Sequence, residues 1–339
     1  MPVTSREWHL AFRPNGEPDH ADFALTTTTV PDPGPDQILV RNDWLSVDPY
    51  MRGRMDAAES YFPPFGLGEA MTGSAVGTVV GSGADGVPVG TVVSHFLGWR
   101  EYALLPAASV QVLDPEVAPV QAHLGVLGVT GLTAYAGLKE IAPVKEGDVV
   151  FVSGAAGSVG SVAGQIAKRL GASWVIGSAG GPEKARRLVE DFGFDVGLDY
   201  REGDLADQLA KAAPDGIDVY FDNVGGDHLQ AALGLMKLHG RVALCGAISV
   251  YNSTELPPGP SNLPLAIGKR LSLRGMNVMD HFDLAADHVE QTTAWLRDGS
   301  LRTAETVVDG IDNAVEAFLS MMRGANTGKM LVHLTPTTP

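Results

Sequence analysis

A run of β-branched and aromatic residues, Val149-Val-Phe-Val152, gives way within a few positions to a cluster of small residues. An amphipathic stretch then reaches Lys168. That succession folds as a strand, a tight turn and a helix N-terminus. The turn reads Ala155-x-Gly157-x-x-Gly160, with alanine in the place of a first glycine. Gly157 has no Cβ, so the backbone there can approach a pyrophosphate closely, and Gly160 lets the new helix pack tightly on its strand. N–H groups of the first helical turn have no partner within the helix and point at such an anion. Gly157, Ser158, Val159, Gly160 and Ser161 are therefore cofactor-binding candidates, and the chain is restricted to folds containing a parallel βαβ unit.

From Asp148 onward strands and helices alternate. Strands are predicted at 148–154, 173–178, 195–200, 217–222, 240–246 and 271–278, and helices at 158–171, 182–192, 204–213 and 227–238. Strands linked by helical crossovers form a doubly wound parallel sheet, an α/β fold with helices on both faces. The segment 283–298 reads as a further helix. Before this region the pattern differs. Short β-like runs split by Pro and Gly, such as those at 37–42, 78–81, 90–94 and 99–105, predict a β-rich, barrel-like domain. A helical segment at 123–138 leads out of it. The expected domains are 1–123 with 301–339, and the nucleotide-binding insertion 124–300.

Composition narrows the function. Of the 339 residues, 45% are hydrophobic and 19% charged, an ordinary globular balance. The net charge of -16 argues against a nucleic-acid or anionic-membrane partner. A single cysteine, Cys245, excludes intrachain disulfides and zinc sites with two or more thiolates. No apolar run approaches the ~18 residues of a membrane helix, and no signal core is read at the N-terminus. A soluble cytoplasmic protein is the expectation.

The second strand of an NAD-binding sheet usually ends in Asp or Glu, which bonds the ribose 2′-hydroxyl. Here it ends Ile176-Gly-Ser-Ala-Gly-Gly-Pro, with no acid before Glu183 and with Lys184, Arg186 and Arg187 following. A 2′-phosphate needs cations and is repelled by a carboxylate, so NADP(H) fits better than NAD(H). Lys184 is the candidate cation, while Arg186 and Arg187 read as surface residues.

Metal-assisted alcohol oxidation needs clustered Cys and His ligands, and the nine histidines, among them His123, His228 and His239, are scattered. No Ser-x-x-x-Tyr-x-x-x-Lys relay is visible either. Hydride addition to an activated C=C bond makes smaller demands, because one or two hydroxyl donors can stabilise the enolate that develops. Tyr251, directly after the fifth strand, stands where open sheets bind ligands. Tyr50, in the turn-rich Leu45–Arg54 segment, is the second candidate catalytic donor.

These residues resemble a known family, the zinc-free branch of the medium-chain dehydrogenase/reductases that holds prostaglandin reductases, plant alkenal double-bond reductases and bacterial curcumin reductase. The match is carried by Asp48-Pro-Tyr-Met-Arg-Gly-Arg-Met55, Gly131-Leu-Thr-Ala-Tyr135, Ala155-Ala-Gly-Ser-Val-Gly-Ser161 and Phe221-Asp-Asn-Val-Gly-Gly226. Cys245-Gly-Ala-Ile-Ser-Val-Tyr-Asn252 and Gly324-Ala-Asn-Thr-Gly-Lys329 complete it. The resemblance implies a β-rich, GroES-like catalytic domain closed by the C-terminal segment, with a Rossmann domain between. It implies NADPH-dependent reduction of the α,β double bond of enals and enones without a metal. It places the 2′-phosphate beside Lys184 and Tyr200. Asn223, Cys245, Gly246, Ala247, Ile248 and Ser249 would line the cofactor, with Met276, Asn277, Val278 and Asn326 near the nicotinamide end. Tyr251 and Tyr50 would contact the substrate carbonyl region, and the α-carbon proton would come from water or a tyrosine. A homodimer through the edge strand Leu271–Val278 is also implied.

One departure is visible. Gly180-Gly-Pro stands where relatives tend to carry a polar residue, so a hydroxyl contact to the 2′-phosphate is missing from that position. The aromatic loop Tyr61-Phe-Pro-Pro-Phe65 and the stretch Leu256 to Pro264 are read either as edges of a hydrophobic pocket or as ordinary surface loops. Rival readings are an NADPH quinone reductase on the same scaffold, a non-catalytic NADPH-binding protein and a zinc alcohol dehydrogenase.

Overall fold

Val3–Leu10 (β1) and Phe23–Val30 (β2) form an antiparallel hairpin in register from Val3 opposite Val30 to Leu10 opposite Phe23. The β-like runs singled out above do not include it. The β2 sequence Phe-Ala-Leu-Thr-Thr-Thr-Thr-Val lacks apolar alternation, and only its first residue, Phe23, is buried. The computed structural model describes residues 1–58, 60–255 and 257–334.

After the hairpin come Gln37–Ser46 (β3), the short helix Tyr50–Arg54 (α1), Ala75–Ser82 (β4), Val92–His95 (β5), Tyr102–Pro106 (β6) and Gln111–Val112 (β7). The chain then forms Val129–Ala136 (α2), Val149–Val152 (β8), Ser158–Arg169 (α3), Trp174–Ala179 (β9), Pro182–Glu190 (α4), Val196–Asp199 (β10) and Leu205–Ala212 (α5). Ile217–Asp222 (β11), Gly226–Leu235 (α6), Met236–Leu244 (β12), Leu265–Lys269 (α7), Ser272–Gly275 (β13) and Ala285–Arg297 (α8) follow. Glu305–Asp309 (β14), Ala314–Met322 (α9) and Lys329–His333 (β15) end the described chain.

Two units emerge: Met1–Leu124 together with the chain from Glu305, and Gly125–Ala304. In the first, the sheet order is β14-β15-β3-β4-β5-β7, with β6 also pairing on β3. Every pair is antiparallel except β14 with β15. One core gathers Leu10, Phe23, Met51, Met55, Trp99 and Phe318, so α1 and α9 bury their apolar faces together. A second core holds Ile38, Val40, Val79 and Val93 of β3, β4 and β5.

The second unit is a six-stranded parallel sheet, as the strand spacing predicts, and its strand order is β10-β9-β8-β11-β12-β13. The central strands are nearly continuous apolar runs because helices cover both faces. Phe151 of β8 stacks on Tyr220 of β11 at 5.0 Å between ring centres, inside a core that includes Ile176, Leu209 and Val242.

Two predicted helices are corrected. In the segment 123–138 the first two residues end a 3-10 helix, Val120–Leu124, and the α-helix begins only at Val129, because a turn lies between in which Gly128 N–H and the Thr130 hydroxyl both bond to the Gly125 carbonyl. The helix predicted to 238 stops at Leu235. Met236 is buried, adopts extended backbone and pairs with Ile217, so β12 begins four residues before the predicted 240. His239, with φ of 63°, marks the irregular start of that strand. Period alone cannot separate a short buried strand from the last turn of a helix.

Candidate active site

The carboxyl ends of the six parallel strands all open on one edge of their sheet, where open α/β sheets bind ligands. After β8, Ser153–Gly157 turn the chain into α3, with Gly157 as the N-cap. A Cβ on Gly160 would lie 2.7 Å from the Ala155 Cα, so glycine there is demanded by the packing of helix on turn. A Cβ on Gly157 would meet only the Gly154 carbonyl oxygen, at 3.3 Å. The fold needs Gly160 more than Gly157, and the space over Gly157 is the kind a bound phosphate would fill. The Ser158 hydroxyl donates to Thr130 Oγ1 of α2 at 3.0 Å, which fixes the first turn of α3. Ser158 and Val159 are half-buried, and Ser161 is buried beneath them.

After β9 the backbone passes Gly180 and Gly181 into α4. The Asp199 carboxylate at the end of β10 accepts from Gly181 N–H at 2.8 Å and from Arg201 N–H at 3.0 Å. That carboxylate is occupied in pinning the two exits together. A Cβ on Gly180 would lie 2.9 Å from the Tyr200 hydroxyl and 3.0 Å from Arg201 Nε. Phenol and guanidinium thus stand over the position where the sequence lacks a polar side chain. The Lys184 ammonium is lowered from its ordinary value by burial and by Arg201. Cations brought together in this way favour an anion between them. Arg186 pairs with Glu183 at 2.7 Å and with Glu190, and Arg187 pairs with Asp191 at 2.6 Å, so both are surface ion pairs.

After β11, Asn223 donates from Nδ2 to the Ser153 carbonyl at 2.7 Å, tying this exit to the glycine turn. After β12 the segment Cys245–Tyr251 curls back on itself. Ile248 N–H donates to the Asn223 carbonyl at 3.3 Å, and the Ser249 hydroxyl donates to the Val224 carbonyl at 2.6 Å. Ala247 N–H makes a long contact to the Tyr251 hydroxyl at 3.4 Å, and Gly246 lies beneath that phenol. Burial raises the Tyr251 phenol, while the Ala247 contact acts in the opposite sense. Burial, reinforced by Asp222, pushes the Cys245 thiol up to about 12, which makes it a poor nucleophile. Met276, Asn277 and Val278 follow β13. Met276 N–H continues the ladder to the Leu244 carbonyl at 3.0 Å, and the Asn277 carboxamide caps the next turn through Met279 N–H.

Tyr50 and Asn326 belong to the other unit and are described within it. Tyr50 opens α1, and its buried hydroxyl has no hydrogen-bond partner among the described residues. Burial and the Asp48 charge raise its phenol, and Arg54 opposes them. Its ring stacks on Phe62 at 5.2 Å, and Phe62 stacks on Phe96 at 5.6 Å. The Arg54 guanidinium lies 4.0 Å from the Phe65 ring centre and donates to the Pro63 carbonyl and Thr72 Oγ1. The aromatic loop is therefore clamped onto α1, with Tyr61 at its exposed tip. The turn before Tyr50 is pinned by a buried ion pair between Asp48 and Lys329, which also donates to the Val47 carbonyl at 3.0 Å. The Ser46 hydroxyl bonds the other Asp48 oxygen. Asn326 donates to the Gly328 carbonyl at 2.8 Å, in the turn that presents Lys329. Of the stretch Leu256 to Pro264, Leu256 lies outside the described residues. The remainder is anchored on α6 where Ser261 and Asn262 bond Gln230.

The site contains residues that sequence reasoning did not select. Arg201 is one, although its place beside Tyr200 at a strand end was a usable signal. Ser153 and Asp222 are others, the latter quoted in a motif but given no role.

Two family models match the chain, one for the N-terminal domain of oxidoreductases over residues 6–113 and one described as zinc-binding dehydrogenase over residues 158–295. An NADPH-dependent curcumin reductase of Escherichia coli (strain K12) is 40% identical over 335 residues, covering 97% of both chains. A 2-alkenal reductase (NADP(+)-dependent) of Nicotiana tabacum is 40% identical over 337 residues, with the same 97% coverage of each. The chain belongs to the medium-chain dehydrogenase/reductases, in their zinc-free reductase branch. In keeping with this, the crystal structure of CurA in complex with NADPH from Vibrio vulnificus superposes with a TM-score of 0.93 at 39% identity, covering 98% of this chain and 100% of that one. The metal in the second model's description has no matching donor set here. There is one cysteine, and among the described residues no three His, Cys, Asp or Glu gather around a common point.

Proposed function

We propose that this chain is an NADPH-dependent reductase of the α,β C=C bond of enals and enones. The observation that carries the reading is the Tyr251 phenol, held at the exit of β12 and kept protonated by burial. It stands on the same sheet edge as a phosphate cradle bearing Lys184, Tyr200 and Arg201. The relatives named above act on such substrates with the same coenzyme, and their coverage of nearly the whole chain supports carrying the reaction class over.

NADPH fits the residues present. The N-terminus of α3, from Gly157 to Ser161, would receive the pyrophosphate. Lys184, Arg201 and the Tyr200 hydroxyl would receive the 2′-phosphate, offsetting the glycine at position 180. Asn223 and Cys245 to Ser249 would line the coenzyme, with Met276 to Val278 and Asn326 assigned to its nicotinamide end. When bound, the coenzyme supplies a hydride to the substrate β-carbon. Negative charge then grows on the carbonyl oxygen, the Tyr251 hydroxyl donates to it, and a proton delivered to the α-carbon by water or a tyrosine completes the reduction. One such donor contributes about 3 kcal/mol, roughly a hundredfold in rate. Tyr50, with its partnerless hydroxyl, is the second candidate donor.

A panel of 2-alkenals, enones and quinones, assayed with NADPH and NADH, tests this reading. Oxidation of NADPH by alkenals and enones is the expected result. Turnover confined to quinones would move the chain to the quinone reductases, and no turnover with any acceptor would leave only a binding protein. We further propose a homodimer through the exposed edge of β13 and a cytoplasmic location. A single cysteine, which calls for no oxidising compartment, supports the latter, and cell fractionation tests it.

A further inference from the structure

Three strand exits on the nucleotide sheet are joined through one buried residue, two by its side chain and the third by its backbone carbonyl. Asp222, the last residue of β11, is 1% exposed. A single one of its carboxylate oxygens, Oδ1, accepts four hydrogen bonds. They come from the Tyr220 hydroxyl at 2.6 Å, Gly225 N–H at 2.8 Å, Val224 N–H at 2.9 Å and the Ser153 hydroxyl at 3.0 Å. Its backbone carbonyl accepts two more, from Cys245 N–H at 2.9 Å and Gly246 N–H at 3.0 Å. Its other carboxylate oxygen is buried and has no partner among the described residues.

Ser153 begins the glycine turn after β8, and its hydroxyl also accepts from Asn223 N–H at 3.0 Å. Gly246 is followed by Ala247, whose N–H contacts the Tyr251 phenol. One residue therefore connects the phosphate cradle, the turn at 223–225 and the loop that carries the phenol. A buried carboxylate is costly unless its donors are in place, so those donors cannot drift independently.

We infer that Asp222 is a positioning residue for the reduction, fixing the Tyr251 hydroxyl relative to the cofactor cradle through Gly246 and Ala247. The inference rests on the enone-reductase reading of the same site. No proton or electron passes through Asp222, because its role is exerted through hydrogen bonds that are already formed before substrate arrives. The dipole of each fixed N–H is thereby aimed in advance, which is the form of help an oxyanion site requires. The Tyr220 phenol, raised well above its ordinary value by burial and by Asp222, stays a donor throughout.

Asp222→Asn, Asp222→Ala, Tyr251→Phe and the Ala/Phe double variant decide the matter, with kcat for an alkenal and the NADPH dissociation constant measured for each. Asparagine keeps an acceptor oxygen where Oδ1 stands, so kcat should stay within about fivefold of the parent. Alanine should lower kcat by about a hundredfold, and the double variant should be no slower than Tyr251→Phe alone, because both changes disable the same phenol. A double variant showing the product of the two losses overturns the inference. So does an Asp222→Asn variant as slow as the alanine one.

Should Asp222→Ala fail to fold, Ser153→Ala and Tyr220→Phe each remove one donor and leave the carboxylate. Each is expected to lower kcat about fivefold while KM for NADPH changes less than twofold, and unchanged kcat in both overturns the inference. If the parent reduces no enone, the functional reading has failed and hydrogen exchange still tests the lacing. Amides of Val224, Gly225, Cys245 and Gly246 should exchange at least tenfold faster in Asp222→Ala or Ser153→Ala than in the parent. Equal rates would overturn it.

Discussion

At the scale of single residues, the site depends on groups whose surroundings alter their ordinary chemistry. Burial holds the Tyr251 phenol above its ordinary value. The protonated form is the donor, and a raised pKa keeps that form present to higher pH. The kcat for an alkenal should therefore lose no activity to phenol ionisation below about pH 10, the ordinary tyrosine value. A pH profile at saturating NADPH checks this, and an alkaline limb centred near pH 8 contradicts it. Tyr251→Phe should lower kcat about a hundredfold with little change in NADPH affinity. At the other end of the coenzyme, Lys184→Ala and Arg201→Ala should each raise KM for NADPH about tenfold and leave KM for NADH nearly unchanged, since only NADPH carries the extra phosphate. Steady-state kinetics with the two coenzymes separates these outcomes, and equal effects on both would remove that residue from the 2′-phosphate site. Lys184 was legible because it follows a strand end lacking an acid. Arg201 was legible only in its place beside Tyr200 at a strand end, because its approach to Gly180 depends on how β10 lies beside β9.

Among the elements, the junction of β8 with α3 separates what folding requires from what binding requires. A methyl group on Gly160 would collide with the backbone of the preceding turn, whereas one on Gly157 has a single neighbour at 3.3 Å. Gly160→Ala should destabilise the protein by about 2 kcal/mol or more, as overpacking against rigid backbone does. Gly157→Ala should fold with nearly parental stability yet bind NADPH at least tenfold more weakly. Chemical denaturation together with coenzyme fluorescence titration measures both, and the reverse ordering of the two glycines would refute the assignment. The parallel strands were legible in outline because each is a short apolar run bounded by turn residues. Their ends were less so, as Met236 shows, where a residue suited to helix and strand alike is claimed by its pairing with Ile217. The β1–β2 hairpin was hidden by its run of threonines, which carry no alternation of polarity although they are good strand formers.

Across the whole molecule, the described residues include no helix long and apolar enough to cross a membrane, and the surface carries a large excess of acid. Self-association must then be local, and β13 offers an edge strand with no partner strand on its outer side among the described residues. Sedimentation equilibrium should return the mass of two chains, and a single-chain mass at micromolar concentration would remove that proposal. The Asp48–Lys329 pair joins residues 281 positions apart, which is why its two motifs could be seen separately but not as partners. Losing one member leaves a buried charge alone, so Lys329→Met should cost about 3 kcal/mol or more of stability. Thermal and chemical unfolding measure this, and a variant as stable as the parent would show that Asp48 is satisfied without its lysine. The same pair bears on synthesis. While the ribosome is still translating β15, Asp48 has no counter-ion and β3 lacks its neighbour on one side, whereas Gly125–Ala304 is already complete as one uninterrupted stretch. The Rossmann sheet should thus become protease-resistant on arrested nascent chains before the segment that precedes it in the message, so that maturation order inverts sequence order.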